Sequence, residues 1–318
     1  MKTNRKPITI FSGFLGAGKT TLINALVEQN PNTKFALIEN EFAEIGIDSQ
    51  LVSQKLGSIF EISNGCICCS MNKELTQSII KMSDDYKFDH LLIETTGIAD
   101  PSAVVSSLVE DDFVQEHYQI NGVICLVDSA FLENQLQETE EAARQIAFAD
   151  LILLNKKDKI TANYLLEVQK MVEKINPLAK ILPCEFGNLP ENVLEINAYK
   201  ADSVQKITEK VGHHHHHHHN IHSLSFTFEQ DFDFVAFSNL LKILMDFFGK
   251  NIYRIKGFIS VYQMPERMIL QSVMDNFIFQ KGNLWAENKP KMSKLVFIGK
   301  KLDRNWLENH LKNCLIEP

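Results

Sequence analysis

No apolar run in this 318-residue chain approaches the roughly 20 residues that a bilayer-spanning helix needs. The start, Met1 to Pro7, is basic, but a short strand-like segment and a glycine-rich loop follow it. A secretory leader would place a small-residue cleavage site there instead. A cytoplasmic protein without a membrane partner is therefore expected. Positive charge is also in short supply. Lys and Arg number 32 against 40 Asp and Glu, a net charge of -8, which argues against a general nucleic-acid binder. Cysteine is scarce and unevenly placed: Cys66, Cys68 and Cys69 cluster, while Cys125, Cys184 and Cys314 are scattered. That is not a disulfide framework, and in a reducing compartment the cluster points to metal or redox chemistry. Long internal repeats are absent as well.

What is present is an ordinary globular composition, 45% hydrophobic and 23% charged, in a length that suggests two domains. The first two hundred residues alternate short apolar runs with helical patterns. Strands are expected at Ile8 to Phe11, Phe35 to Glu39, His90 to Glu94, Gly122 to Val127, Leu151 to Leu154 and Lys180 to Pro183. Helical patterns include Thr20 to Gln29, Lys73 to Met82, Glu138 to Phe148 and Tyr164 to Ile175. Such alternation implies an α/β domain, a mainly parallel sheet sandwiched by helices, with ligands beyond the C-terminal strand ends. The character changes near residue 200. A polar stretch runs into an unbroken row of histidines: His213, His214, His215, His216, His217, His218 and His219. Strand patterns then cover Ile221 to Phe228, Asn251 to Gln263, Met268 to Gln280 and Lys294 to Ile298, with helices at Phe234 to Phe247 and after the capping residue Asp303. The expected domains are 1–200, a His-rich linker 201–220, and a smaller α+β domain 221–318.

Gly13-Phe14-Leu15-Gly16-Ala17-Gly18-Lys19-Thr20 fits G-x-x-x-x-G-K-[ST], the P-loop of a P-loop NTPase. Its glycines let backbone N–H groups converge on phosphate oxygens, and the following helix offers its positive end. Lys19 is expected to reach the β- and γ-phosphates, and the Thr20 hydroxyl to ligate Mg²⁺. Glu94-Thr95-Thr96-Gly97 ends an apolar strand and resembles the Asp-x-x-Gly switch of P-loop GTPases. Glu94 is expected to hold a Mg²⁺ water and the Gly97 N–H to contact the γ-phosphate. The next residue is Ile98, so no glutamine stands there to orient the attacking water, and slow intrinsic hydrolysis is expected. Asn155-Lys156-Lys157-Asp158 is N-K-x-D after a strand. Asp158 would accept from guanine N1–H and N2–H₂, and Asn155 would brace the loop and contact the base. The expected GTP-binding residues are thus Gly13, Gly16, Ala17, Gly18, Lys19, Thr20, Thr21, Gly97, Asn155, Lys156 and Asp158. Lys19, Thr20 and Glu94 are the catalytic candidates.

Cys66, Cys68 and Cys69 can supply up to three thiolates to a metal that prefers four ligands. Three thiolates leave an open position, which suits a metal that must leave again. A redox thiol pair and simple packing are the other readings of the same residues. Glu39 and Glu44 lie in the switch I position, where either completes the metal shell or remains a solvated loop charge. The histidine run is internal, unlike a terminal tag, and reads as a native multivalent imidazole segment. Each of its seven rings, from His213 to His219, is a candidate ligand that captures Zn²⁺, Ni²⁺ or Co²⁺ loosely. His222 is a further candidate member. His90, His117 and His310 have no motif context and read as structural or surface residues.

Together these motifs resemble the CobW family of P-loop GTPases, which includes cobalamin-synthesis CobW proteins and zinc-regulated metal chaperones. The resemblance rests on Ser12 to Thr21, Ile38 to Asp48, Gly65 to Cys69, Ile93 to Pro101 and N-K-x-D. In the C-terminal part, Tyr253-Arg254-Ile255-Lys256-Gly257-Phe258 resembles the family's R-x-K-G strand. Ala43 departs from the family's usual Gly and lacks its ready access to φ > 0. The resemblance implies Mg²⁺-dependent GTP hydrolysis coupled to delivery of a divalent metal, often Zn²⁺, to a metal-requiring client protein. It makes the three cysteines the transfer site. GTP would order the segments Glu39 to Asp48 and Gly97 to Pro101, and hydrolysis would relax them and change metal affinity. A metal buffer with a regulatory GTP site, or insertion of cobalt or another metal, are the alternatives. No oligomeric state is read from the sequence.

Overall fold

The computed structural model describes residues 5–39, 58–61, 71–97, 99–185, 188–200, 221–274, 276–286 and 290–316, with 58–61 and 71–73 as backbone only. By contacts the chain divides into two units, Met1–Lys170 with Lys180–Asn197, and Met171–Ala179 with Ala198–Pro318.

The N-terminal part runs β1 (Lys6–Gly13), α1 (Lys19–Gln29), β2 (Phe35–Glu39), β3 (Ser58–Glu61), α2 (Met71–Asp85), β4 (His90–Glu94), α3 (Pro101–Glu110), α4 (Asp112–His117), β5 (Tyr118–Asp128), α5 (Leu132–Glu138), α6 (Glu140–Phe148), β6 (Leu151–Asn155), α7 (Ala162–Ile175) and β7 (Lys180–Pro183). The strands form one seven-stranded sheet in the order β3-β2-β4-β1-β5-β6-β7. Every pairing in it is parallel, as the alternation implied. Ile8 to Gly13 of β1 are all buried, the polar Thr9 and Ser12 included, as expected of a parallel strand covered on both faces. On one face, Leu22, Ile23, Leu26 and Val27 of α1 pack against Phe11, Leu37, Leu92, Ile124 and Leu126. α3 and α6 also contact the sheet.

Some boundaries differ from the pattern. α3, α4 and α5 add to the helices named from periodicity. Glu138 to Phe148 is not one helix, because Thr139 is extended (φ -139, ψ 145) and separates α5 from α6. No helix among the described residues is long and apolar enough to cross a membrane.

The C-terminal part runs β8 (Ile221–Phe228), α8 (Phe234–Phe248), β9 (Ile252–Ile259), β10 (Glu266–Val273), β11 (Asn276–Leu284), β12 (Ser293–Lys300) and α9 (Arg304–Lys312). Its five strands are ordered β11-β10-β9-β12-β8, all antiparallel. The pattern Met268 to Gln280 is a hairpin rather than one strand, turning at Met274 with φ 50. Alternation puts Phe226, Ile255, Leu270 and Phe297 on one face, against Phe237, Leu241 and Leu244 of α8 and Leu307 and Leu311 of α9. The opposite face carries Ser225, Arg254, Lys256 and Gln271, all buried. Asp233 and Asp303 cap the two helices by accepting from backbone N–H groups of their first turns.

Candidate functional site

The parallel sheet ends in a cluster of loops, and the phosphate loop begins where β1 ends. Gly13 has φ 138, and a Cβ there would press on the Leu126 carbonyl oxygen, so only glycine fits. The loop closes with Ala17 N–H donating to the Phe14 carbonyl (3.1 Å). Gly18 then caps α1 with φ 101 and no side-chain acceptor. By contrast α3 and α4 have Asp100 and Asp111 accepting from first-turn N–H groups. Gly18 thus leaves the N-terminal donors of α1 without a cap from the N-cap side chain, which suits an incoming anion. Lys19 is buried, with its Nζ donating to the Gly13 carbonyl at 2.9 Å. This bond folds the ammonium back over the loop. Thr20 is half-buried and Thr21 exposed.

β4 delivers the next residues. Glu94 is half-buried in register with Phe11. Thr95 extends the pairing by donating its N–H to the Phe11 carbonyl (2.9 Å). Gly97 follows against the phosphate loop, where a Cβ would lie 2.6 Å from the Leu15 nitrogen.

β6 delivers the N-K-x-D residues. Buried Asn155 donates from Nδ2 to the Ala17 carbonyl at 2.8 Å, which ties this motif to the phosphate loop. Lys156 adopts a left-handed conformation, φ 59. Its Nζ donates to the Gly16 carbonyl (2.7 Å) and pairs with Asp128 Oδ2 (2.6 Å). Asp158 is exposed in the 3-10 turn Lys157–Lys159. Two residues of this assembly escaped the sequence analysis. Asp128 ends β5 and is 3% exposed; a carboxylate closing a buried strand at the ligand edge was the available signal. Gln145 on α6 is 1% exposed, and a lone amide on an apolar helix face was its signal.

The scattered cysteines lie apart from metal chemistry. Burial pushes the Cys125 thiol up to about 12, against opposing contributions from Ser12 and the Lys19 charge. Burial likewise raises Cys184 to about 11, and its thiol donates to Asn155 Oδ1 at 3.7 Å. Both are protonated at neutral pH and unsuited as ligands. Glu39 is 4% exposed at the end of β2, so it is not a solvated loop charge. Register sets it beside Glu94 of β4 and Glu61 of β3.

The remaining metal-ligand candidates fall elsewhere. Cys66, Cys68, Cys69 and Glu44 lie outside the described residues. So does the whole histidine run, His213, His214, His215, His216, His217, His218 and His219. Among the described residues no group of three or more His, Cys, Asp or Glu side chains converges as a metal site. His222, the nearest histidine after the run, sits on β8 with its Nε2 3.3 Å from the Leu302 carbonyl oxygen. His90 is buried beside Thr9 Oγ1 (2.8 Å), and His310 stacks on Trp306.

Comparison with known proteins agrees with this assembly. Residues 7–183 match the CobW/HypB/UreG nucleotide-binding domain, and residues 221–315 match the cobalamin synthesis protein cobW C-terminal domain. The chain is 30% identical over 299 residues to the zinc chaperone YjiA of Escherichia coli, covering 92% of this chain and 93% of that protein. It is 31% identical over 356 residues to the zinc chaperone CobW of Pseudomonas aeruginosa, covering 99% and 93%. The solved structure of the Zn(II)-bound YjiA GTPase from E. coli aligns with a TM-score of 0.79 at 25% identity, covering 98% of this chain and 100% of that one.

Proposed function

The chain belongs to the CobW/HypB/UreG family, and from that premise we propose that it is a GTP-hydrolysing zinc chaperone. Lys19 and the open N-terminus of α1 bind the phosphates, and Asp158 reads guanine. Asn155 and Lys156 hold the base motif and the phosphate loop as one body. Mg²⁺ needs hard oxygen donors, and the Thr20 hydroxyl and Glu94 carboxylate at the loop are of that kind. The metal would supply charge neutralisation at the β- and γ-phosphates. Zn²⁺ is the cargo, carried at Cys66, Cys68 and Cys69 with Glu39 or Glu44, and passed to a client protein that requires it.

One observation carries the coupling of the two activities. β3 ends at Glu61 and α2 begins at Met71, so the cysteine segment is launched from the sheet edge that also carries Lys19, Glu94 and Asn155. Nucleotide state and metal affinity would be linked through that shared edge, and linkage is reciprocal. The test deletes His213 to His219 and compares Zn²⁺ affinity with a GTP analogue and with GDP. About a tenfold difference, lost when all three cysteines are replaced, is the expected result. Equal affinities in the two states would remove nucleotide-switched metal binding.

A further inference from the structure

Gly97 is held from two sides. On one, its Cα faces the phosphate loop with no room for a Cβ beside the Leu15 nitrogen. On the other, Gln145 of α6 donates from Nε2 to the Gly97 carbonyl oxygen (3.2 Å) and to the Ala99 carbonyl oxygen (3.1 Å). Gln145 is 1% exposed and is flanked on α6 by buried Ala142, Ala143, Ile146 and Ala147. A buried amide in apolar surroundings is costly unless its hydrogen bonds are made. Here both bonds go to one short segment, which fixes that segment to the helix. Arg144, the preceding residue, pairs with Asp100 at 3.7 Å. Asp100 in turn accepts from the Ser102 N–H (2.9 Å) and hydroxyl (2.6 Å) at the start of α3.

We infer that Gln145 is a positioning residue for the γ-phosphate-sensing segment, acting through Gly97 and Ala99. The inference rests on the reading of the Gly97 N–H as the γ-phosphate contact. The phosphate loop lies on one side and the Gln145 amide on the other, so movement of the segment away from the loop acts on the Gln145 bonds. Retreat breaks both Gln145 bonds or takes α6 with it. α6 leads directly into Asp150, whose N–H donates to the Val123 carbonyl (2.8 Å) and whose Oδ2 accepts from the Val123 N–H (3.0 Å). β6 follows and ends at Asn155 and Lys156. The latch therefore stands between the residue that senses the third phosphate and the strand that carries the base motif.

Two variants test this. Gln145→Met keeps length and fills the space but removes both donors. Gln145→Glu keeps the shape and presents acceptor oxygens to two carbonyls. Dissociation constants for GDP and for a non-hydrolysable GTP analogue are measured beside kcat, KM and apoprotein Tm. GDP affinity is expected within about twofold of wild type, while analogue affinity and kcat fall about tenfold, more in Gln145→Glu. Parallel loss of both affinities with Tm would reduce Gln145 to a folding role and overturn the inference. Wild-type analogue affinity and kcat in both variants would overturn it too. Should wild-type protein itself bind GDP and the analogue equally, the Gly97 reading fails first and the latch fails with it.

Discussion

The two sheets bury their polar residues in different places. In the parallel sheet several lie at carboxyl ends: buried Glu39, Asp128 and Asn155 each close a strand, as half-buried Glu94 also does. In the antiparallel sheet they lie within strands, as Ser225, Arg254, Lys256 and Gln271 do. The difference follows from direction. Parallel strands all end on one edge, so their last residues and the loops that follow converge on a shared ligand. Antiparallel strands end alternately on opposite edges, so polar groups gather across a face instead. Substitution at the parallel edge should therefore cost function before stability, and substitution in the antiparallel face should register in stability.

The sharpest test of that contrast is Lys19→Ala. GTP hydrolysis should fall by about a thousandfold in kcat/KM while thermal unfolding stays close to wild type, read by phosphate release and calorimetry on one preparation. A matching collapse in Tm would show that this ligand-edge residue is structural after all.

A second test uses polar residues that sit away from the ligand edge. His90 opens β4, bonded to Thr9, and Asn121 donates to Thr9 Oγ1 (2.9 Å) and to the Leu194 carbonyl (2.9 Å). Burial lowers the His90 pKa from 6.5 to about 4. The unfolded chain therefore binds a proton between these values that the folded chain refuses, so stability is full above about pH 6.5 and falls as pH drops toward 4. At pH 5 the loss from this residue is on the order of 2 kcal/mol. In His90→Gln the difference between urea unfolding at pH 7 and pH 5 should shrink by about that amount, with GTP affinity at pH 7 unchanged. An undiminished pH difference would exclude His90 as its source.

Asp128→Asn removes the carboxylate charge from Lys156 while leaving its shape. Guanine-nucleotide affinity should weaken by about tenfold, with the salt dependence of the remainder altered. Isothermal titration with GDP decides it, and unaltered affinity would make the Lys156 bond to the Gly16 carbonyl sufficient alone. The smallest effect belongs to the other sheet. Among the described residues, neither the Nε2 nor the Oε1 atom of buried Gln271 has a hydrogen-bond partner, so Gln271→Leu should stabilise by roughly 1 kcal/mol in urea unfolding. Destabilisation would show that this amide is satisfied in solution.

Much of the nucleotide end was legible because its motifs are local. The phosphate loop needs glycines at fixed spacing beside a strand and a helix, and N-K-x-D is four consecutive residues. Asp128 and Gln145 were not legible because their significance comes from partners distant in sequence, Lys156 for one and Gly97 for the other. α3 was read only as the tail of a switch, though Asp100 and Pro101 are a helix start by any capping rule. The β10–β11 hairpin was missed because apolar alternation continues through the turn, and Met274 takes the left-handed conformation there without a glycine to announce it. The three clustered cysteines and the histidine run were legible as local composition, and they lie outside the described residues.

The strand order has a consequence for synthesis. β1 occupies the middle of its sheet, and Ile10 pairs with Ile93 on one side and Val123 on the other. At roughly 5–20 residues per second, β1 leaves the ribosome well before either neighbour exists. It then waits on the order of ten seconds as an unpaired apolar strand. Contacts of such sequence separation are also slow to form once the partners arrive. The nascent chain is thus most exposed to misassociation while its phosphate loop is already made, and a holdase that covers β1 would act before any nucleotide could bind.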